Sequence, residues 1–241
     1  MSNETSNAAS ASSEVILGKG LKRYYKRGIE TVKALDGVDI SIKSGEMVSI
    51  LGPSGSGKTT LINLLSGLDA PDEGSLFIGG KQVNNLNEDS LVSIRRGIIG
   101  FIFQKFHLIP TLSVEENIEL PLMFLERSVN KDRISEILKQ VGLEDRRSHL
   151  PRELSGGQMQ RVAIARALIA DPKVLIADEP TGNLDRANSD SVFALFRQLK
   201  TVHNLAIVIT THNLHLGGQA DRIITLEDGK IAEEVINKQA F

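Results

Sequence analysis

The chain has 241 residues, 41% of them hydrophobic, a formal net charge of −2 and no cysteine. That length supports one large core with a subsidiary lobe, and the charge balance gives no electrostatic footprint for nucleic acid. Without cysteine there is no disulfide framework or thiolate metal site, and no apolar run approaches the roughly 20 residues that span a bilayer, so any membrane role is borrowed from another chain.

Residues 1–13 are polar, lack the cationic start and apolar centre of a secretory signal, and read as a disordered leader. From Val15 to Ile78 the pattern is β-rich with one helix. Val38, Ile40 and Ile42 alternate with polar neighbours, Ser44-Gly45 turns, and Met47–Leu51 is an apolar strand.

That strand runs into Gly52-Pro53-Ser54-Gly55-Ser56-Gly57-Lys58-Thr59, and Thr60 begins a helix-like stretch to Leu65. The pattern G-x-x-x-x-G-K-[ST] between strand and helix is a phosphate loop. Its glycines bring backbone N–H groups onto phosphate oxygens, Lys58 reaches the β- and γ-phosphates, and the Thr59 hydroxyl is placed to ligate Mg²⁺.

Leu76–Gly80 closes a hairpin-like edge, and Ile98–Phe103 is a strand that ends at Gln104. The region from about 105 to 160 is predicted helical, with Ile134, Ile137, Leu138 and Val141 on one face, and reads as an inserted helical lobe. Within it, Ser155-Gly156-Gly157-Gln158 offers a hydroxyl and bare backbone at a helix start, suited to capping a terminal phosphate.

The strand Val174–Ala177 delivers Asp178 and Glu179 at its carboxyl end, where open α/β sheets bind ligands. Asp178 is expected to hold Mg²⁺ through water, and Glu179 to polarise the water that attacks the γ-phosphate. His212 follows the strand Leu205–Ile209, from which an imidazole can donate to the γ-phosphate. His107, His149, His203 and His215 offer no metal-binding spacing and read as solvated or locally hydrogen-bonded. Ile223–Leu226, Asp228-Gly229 and Lys230-Ile231 predict a last small hairpin.

The phosphate loop, Gln104, Leu154-Ser-Gly-Gly-Gln158, Asp178-Glu179, Leu184-Asp185 and His212 fall in the order of the ATP-binding-cassette ATPases, which the chain resembles over about residues 14–233. The resemblance implies an α/β fold, a phosphate-loop NTPase core with an inserted helical subdomain and an antiparallel β subdomain, in one nucleotide-binding domain spanning 14–241. It implies ATP and Mg²⁺ as cofactors and a homodimer in which each phosphate loop faces the other copy's Ser155–Gln158 across ATP. It further implies that Gln104 touches Mg²⁺ or the attacking water and senses a membrane partner, and that Asp185 supports the opposite copy's site. An aromatic ring upstream of the loop holds adenine in this family. Tyr24 and Tyr25 are both candidates, and the alignment through Tyr25-Lys26-Arg27-Gly28 favours Tyr25.

Gly67–Gly74 and the segment from Gly100 to Leu122 resemble the lipoprotein-releasing and macrolide-exporting branch typified by LolD and MacB. That branch implies integral-membrane permease subunits of the LolCE, MacB or FtsX kind, with this chain peripheral at the cytoplasmic face of the cell membrane. Phe103, Phe106, Leu108, Ile109 and Leu112, beside Gln104, are candidates for the permease groove. Lipoprotein, peptide, lipid and drug all remain open as cargo. Soluble cassette ATPases that act on nucleic acid or the ribosome share this site and are the alternative. The short stretch between Lys58 and Leu154 and the single cassette argue against it.

Overall fold

The computed structural model describes residues 14–84, 86–128 and 130–237; the leader expected over residues 1–13 lies outside the described residues. Two long strands, β1 (Glu14–Arg27) and β2 (Glu30–Lys43), open the chain around a reversal at Gly28, whose φ is 64°. The alternation read at Val38, Ile40 and Ile42 is present, with all three buried and Asp39 exposed. After β3 (Met47–Leu51), the strands β4 (Glu73–Ile78) and β5 (Lys81–Gln82) join the first two in an antiparallel sheet of order β2-β1-β4-β5.

A second sheet contains β3, β6 (Ile99–Ile102), β7 (Val174–Asp178), β8 (Ala206–Thr210), β9 (Arg222–Glu227) and β10 (Lys230–Ile236), in the order β10-β9-β3-β8-β7-β6. Every neighbouring pair is parallel except the terminal β9–β10 hairpin. Its turn is the predicted Asp228-Gly229, with φ of 44° and 75°, the left-handed pair that a two-residue hairpin of matching twist requires.

Because side chains alternate across a strand, the parallel sheet feeds two cores. Val48, Ile50, Val174, Ile176, Ala206 and Val208 join the antiparallel sheet and Leu61, Ile62, Leu64 and Leu65 of α1 (Lys58–Leu65). Leu175, Ala177, Ile207 and Ile209 point the other way, into a core shared with the later helices. The first of the helices beyond α1 is α2 (Glu88–Ile98), which the sequence reading did not isolate.

The lobe contains α3 (Val114–Phe124) and α4 (Lys131–Val141). Ser113 and Glu116 close a capping box on α3, and Gly142 ends α4 in the left-handed conformation. Ile134, Ile137, Leu138 and Val141 are all buried, as their spacing predicts. They pack with Val162 and Ile164 of α5 (Gly156–Leu168) and with Phe193 and Phe196 of α6 (Arg186–His203). A short α7 (Leu214–Gly217) follows β8. No helix among the described residues is long and apolar enough to cross a membrane.

Candidate functional site

The phosphate loop leaves the buried end of β3 and enters α1, the order the sequence predicts. Two of its glycines are demanded by space as well as by φ. At Gly52 (φ 151°) a Cβ would lie 2.2 Å from the Leu226 carbonyl oxygen, and at Gly57 (φ 105°) one would lie 2.3 Å from the Ala34 carbonyl oxygen. The loop is thus wedged between β2 and the end of β9. Ser56 is buried inside it, and its N–H donates to the Pro53 carbonyl at 3.3 Å. Lys58 arches back over the loop, donating to the carbonyls of Gly52 and Pro53 at 2.8 Å each.

Strand β7 ends at the acidic pair. Asp178 is half-buried, and the Thr210 hydroxyl donates to its Oδ1 at 2.6 Å. The same hydroxyl accepts from the Glu179 N–H at 2.9 Å. Thr210 therefore fixes both acids at once, a role that sequence reasoning missed. Glu179 has φ of 44°, a conformation that costs about 1–3 kcal/mol outside glycine and is concentrated at functional sites. The bend turns its carboxylate towards His212, whose Nδ1 lies 2.9 Å from Glu179 Oε2.

The loop, Glu179 and His212 meet in one cavity of about 620 Å³, whose walls include Lys58, Thr59, Thr60, Glu179 and His212. Ser54, Gly55 and Gly57 line it from the loop side, and Val32 and Asp228 are also among its walls. Glu179 and His212 also wall a neighbouring chamber of about 520 Å³ beside Thr181 and Gly182. A carboxylate and an imidazole held together beside a phosphate loop are an arrangement suited to γ-phosphoryl transfer to water.

The remaining sequence-predicted residues stand apart from that cavity. Ser155 is the exposed cap of α5, in a capping box with Gln158. Gly157 packs so closely on Asn188 that a Cβ would lie 2.3 Å from its Oδ1. Asn188 in turn donates from its backbone and its side-chain amide to Asp185 at 2.8 and 2.7 Å. Those bonds hold the Asp185 carboxyl below its ordinary pKa, and Asp185 caps α6. Ser155–Gln158 and Asp185 are thus linked through Asn188.

Gln104 follows β6 with its amide against Gly182, where a Cβ would lie 2.8 Å from Nε2, and its carbonyl accepts from Asn183 at 3.2 Å. Neither tyrosine is a wall of the phosphate-loop cavity. Tyr24 is half-buried and its hydroxyl lies 3.2 Å from Asp36. Tyr25 is exposed and pairs across the strands with Val32, a wall of the cavity.

For Mg²⁺ the available oxygens are the exposed Thr59 hydroxyl and the Asp178 carboxylate, a hard-donor set that suits the ion. Among the described residues there is no group of three or more His, Cys, Asp or Glu able to hold a metal by itself. As donors, a hydroxyl and a carboxylate suit a cation that takes its other ligands from phosphate and water.

Fold and cavity define a phosphate-loop nucleoside triphosphatase of the α/β class. Residues 35–182 match the model of the ABC transporter family. The chain is 45% identical to the ABC transporter ATP-binding protein MJ0796 of Methanocaldococcus jannaschii, over 90% of this chain and 94% of that one. It is 43% identical to the macrolide export ATP-binding/permease protein MacB of Bdellovibrio bacteriovorus, over 90% of this chain but only 33% of that protein's length. Among solved structures, the dimeric post-hydrolysis state of MJ0796 bound to ADP and Pi superposes with a TM-score of 0.84 at 42% identity, covering 92% of this chain and 99% of that one. The chain belongs to the ABC transporter family, as an ATP-hydrolysing, ATP-binding cassette.

Proposed function

We propose that two copies of this chain close head to tail around two ATP molecules, and that this closure drives integral-membrane permease subunits of the MacB or lipoprotein-releasing kind at the cytoplasmic face of the membrane. One observation carries the reading. The cavity that holds Lys58 and Glu179 is not walled by Ser155–Gln158, although Ser155 stands exposed at the capped start of α5. Each copy then has a hydrolytic half-site and a separate phosphate cap, which complete one another only in a pair.

In the closed pair, Lys58 leaves its loop carbonyls for the phosphates, and Glu179, oriented by Thr210 and His212, takes the proton of the attacking water. Thr59 and Asp178 would hold Mg²⁺, which supplies charge neutralisation of the transferring phosphoryl group. Gln104, packed on Gly182, relates the permease side of the molecule to the turn that follows Glu179. Tyr25 stacks the adenine.

The permease reading is supported by the similarity to MacB and by an apolar groove of about 390 Å³ between β6, α3 and α5. Phe101, Leu120, Pro121 and Phe124 line it, with Arg96 and Arg166 beside them. These are not the residues that the sequence singled out for that contact.

The test is the Glu179→Gln variant. Turnover should fall about 100-fold or more with ATP binding intact, and ATP should double the mass measured by light scattering. Undiminished hydrolysis would reject Glu179 as the base, and an ATP-loaded species of single-chain mass would reject the pairing.

A further inference from the structure

Arg23, Tyr25 and Asp69 form a cluster that the hydrolytic residues do not use. Arg23 grips Asp69 with a two-pronged contact, Nε to Oδ2 and Nη2 to Oδ1, both at 2.9 Å, and Nη1 donates to Asp72 at 2.8 Å. The Arg23 guanidinium carbon lies 5.1 Å from the centre of the Tyr25 ring. The Tyr25 hydroxyl donates to the same Asp69 Oδ2 at 3.1 Å. One carboxylate therefore holds both the far end of the ring and the cation that covers one of its faces. The ring still keeps 39% of its surface exposed, and Val32, its cross-strand partner, lines the phosphate-loop cavity.

We propose that Asp69 and Arg23 are positioning residues for the nucleobase: they hold the Tyr25 ring in one orientation, with one face capped by the guanidinium and the other presented to adenine. The proposal rests on the reading of Tyr25 as the adenine platform. An unrestrained tyrosine on a hairpin samples several rotamers, and stacking a base on it requires ordering it first. A ring fixed before the ligand arrives avoids that loss. The cation also attracts the ring face electrostatically, which reserves that side and leaves the opposite one for the base.

The location adds a second consequence. Asp69 lies just beyond α1, the helix whose first turn carries Lys58 and Thr59. The latch therefore sets the distance between the phosphate-binding helix and the base-binding ring, a spacing that suits a nucleotide and is irrelevant to a bare polyphosphate.

The chain has two tyrosines and no tryptophan, so in a Tyr24→Phe background the intrinsic emission comes from Tyr25 alone. ADP should quench that emission. Adding Asp69→Ala should raise the half-saturating ADP concentration about 3- to 10-fold, the scale of freeing one ordered side chain, while displacement by inorganic triphosphate stays unchanged. Asp69→Asn, whose amide oxygen still accepts from the phenol, should recover most of the affinity. In steady state the Asp69→Ala change should appear in KM with kcat preserved.

Unchanged ADP affinity in a folded Asp69→Ala variant would overturn the latch. Equal weakening of inorganic triphosphate would overturn it too, since Asp69 would then act on the whole loop. If ADP fails to quench Tyr25 but does quench Tyr24 in a Tyr25→Phe chain, the platform itself was misassigned, a result distinct from failure of the latch.

Discussion

The Gly229 N–H donates to the Ser56 carbonyl at 3.0 Å, which ties the last hairpin of the chain to the middle of the phosphate loop. The Gly229 carbonyl accepts from the Asp36 N–H at 2.9 Å, so the turn also bridges to β2. A Cβ at Gly229 would lie 2.8 Å from the Ala34 carbonyl oxygen, and its φ of 75° is one that alanine rarely adopts. A residue far along the chain thus sets the loop's position.

Gly229→Ala should accordingly weaken ATP binding about tenfold without altering helix or strand content, because strain at one left-handed position is worth about 1–3 kcal/mol. Isothermal titration with ATP, beside circular dichroism, reads both effects. Wild-type affinity in this variant would show that the loop does not depend on the hairpin.

Thr210→Val removes a buried hydroxyl that serves Asp178 and Glu179 together. The expected result is a fall in kcat of about 10- to 100-fold, as the strand end loses the bonds that orient both acids. Thr210→Ser should restore it to within about threefold, because the hydroxyl returns. A Val variant with normal turnover would leave Thr210 a packing residue only.

Gly157→Ala places a methyl within 2.3 Å of Asn188 Oδ1 and should dislodge the side chain that holds Asp185. If that surface caps the partner's ATP, combining it with Glu179→Gln should raise the ATP concentration needed for dimers about tenfold or more, which sedimentation measures. Binding of ATP to the single chain should stay as it was.

The helical lobe carries an acid-sensitive joint. Arg147 donates from Nε to Glu115 at 2.7 Å and from Nη2 to the other oxygen, and these bonds hold the Glu115 carboxyl below its ordinary value of 4.5. A lowered folded-state pKa means the contact stabilises fully above pH 4.5 and is lost as pH falls through the lower folded value. Arg147→Met should therefore lower the thermal midpoint at pH 7 and shrink its fall between pH 6 and pH 3. An unchanged pH profile would remove this pair from the acid response.

The phosphate loop and the Asp178-Glu179 pair were legible because each is contiguous, with its strand written immediately before it. Thr210 was not, since its role exists only because β8 lies beside β7 in the sheet. Helix α2 escaped notice because its buried stripe is thin: Ile94 is its one fully buried residue, with Leu91 and Ile98 only partly covered. Its polar signals were present in Asn87, which caps it, and in Arg95 and Arg96 at its end. The preference for Tyr25 over Tyr24 came from the family alignment alone; the register shift in β1 between Arg23 and Tyr24 is a feature that no alternation pattern announces.

Lys58, bonded to its own loop carbonyls, has a consequence for the shape of the loop. The ammonium ties the first bend of the loop to the head of α1, so the side chain that carries the loop's positive charge also pins its curve.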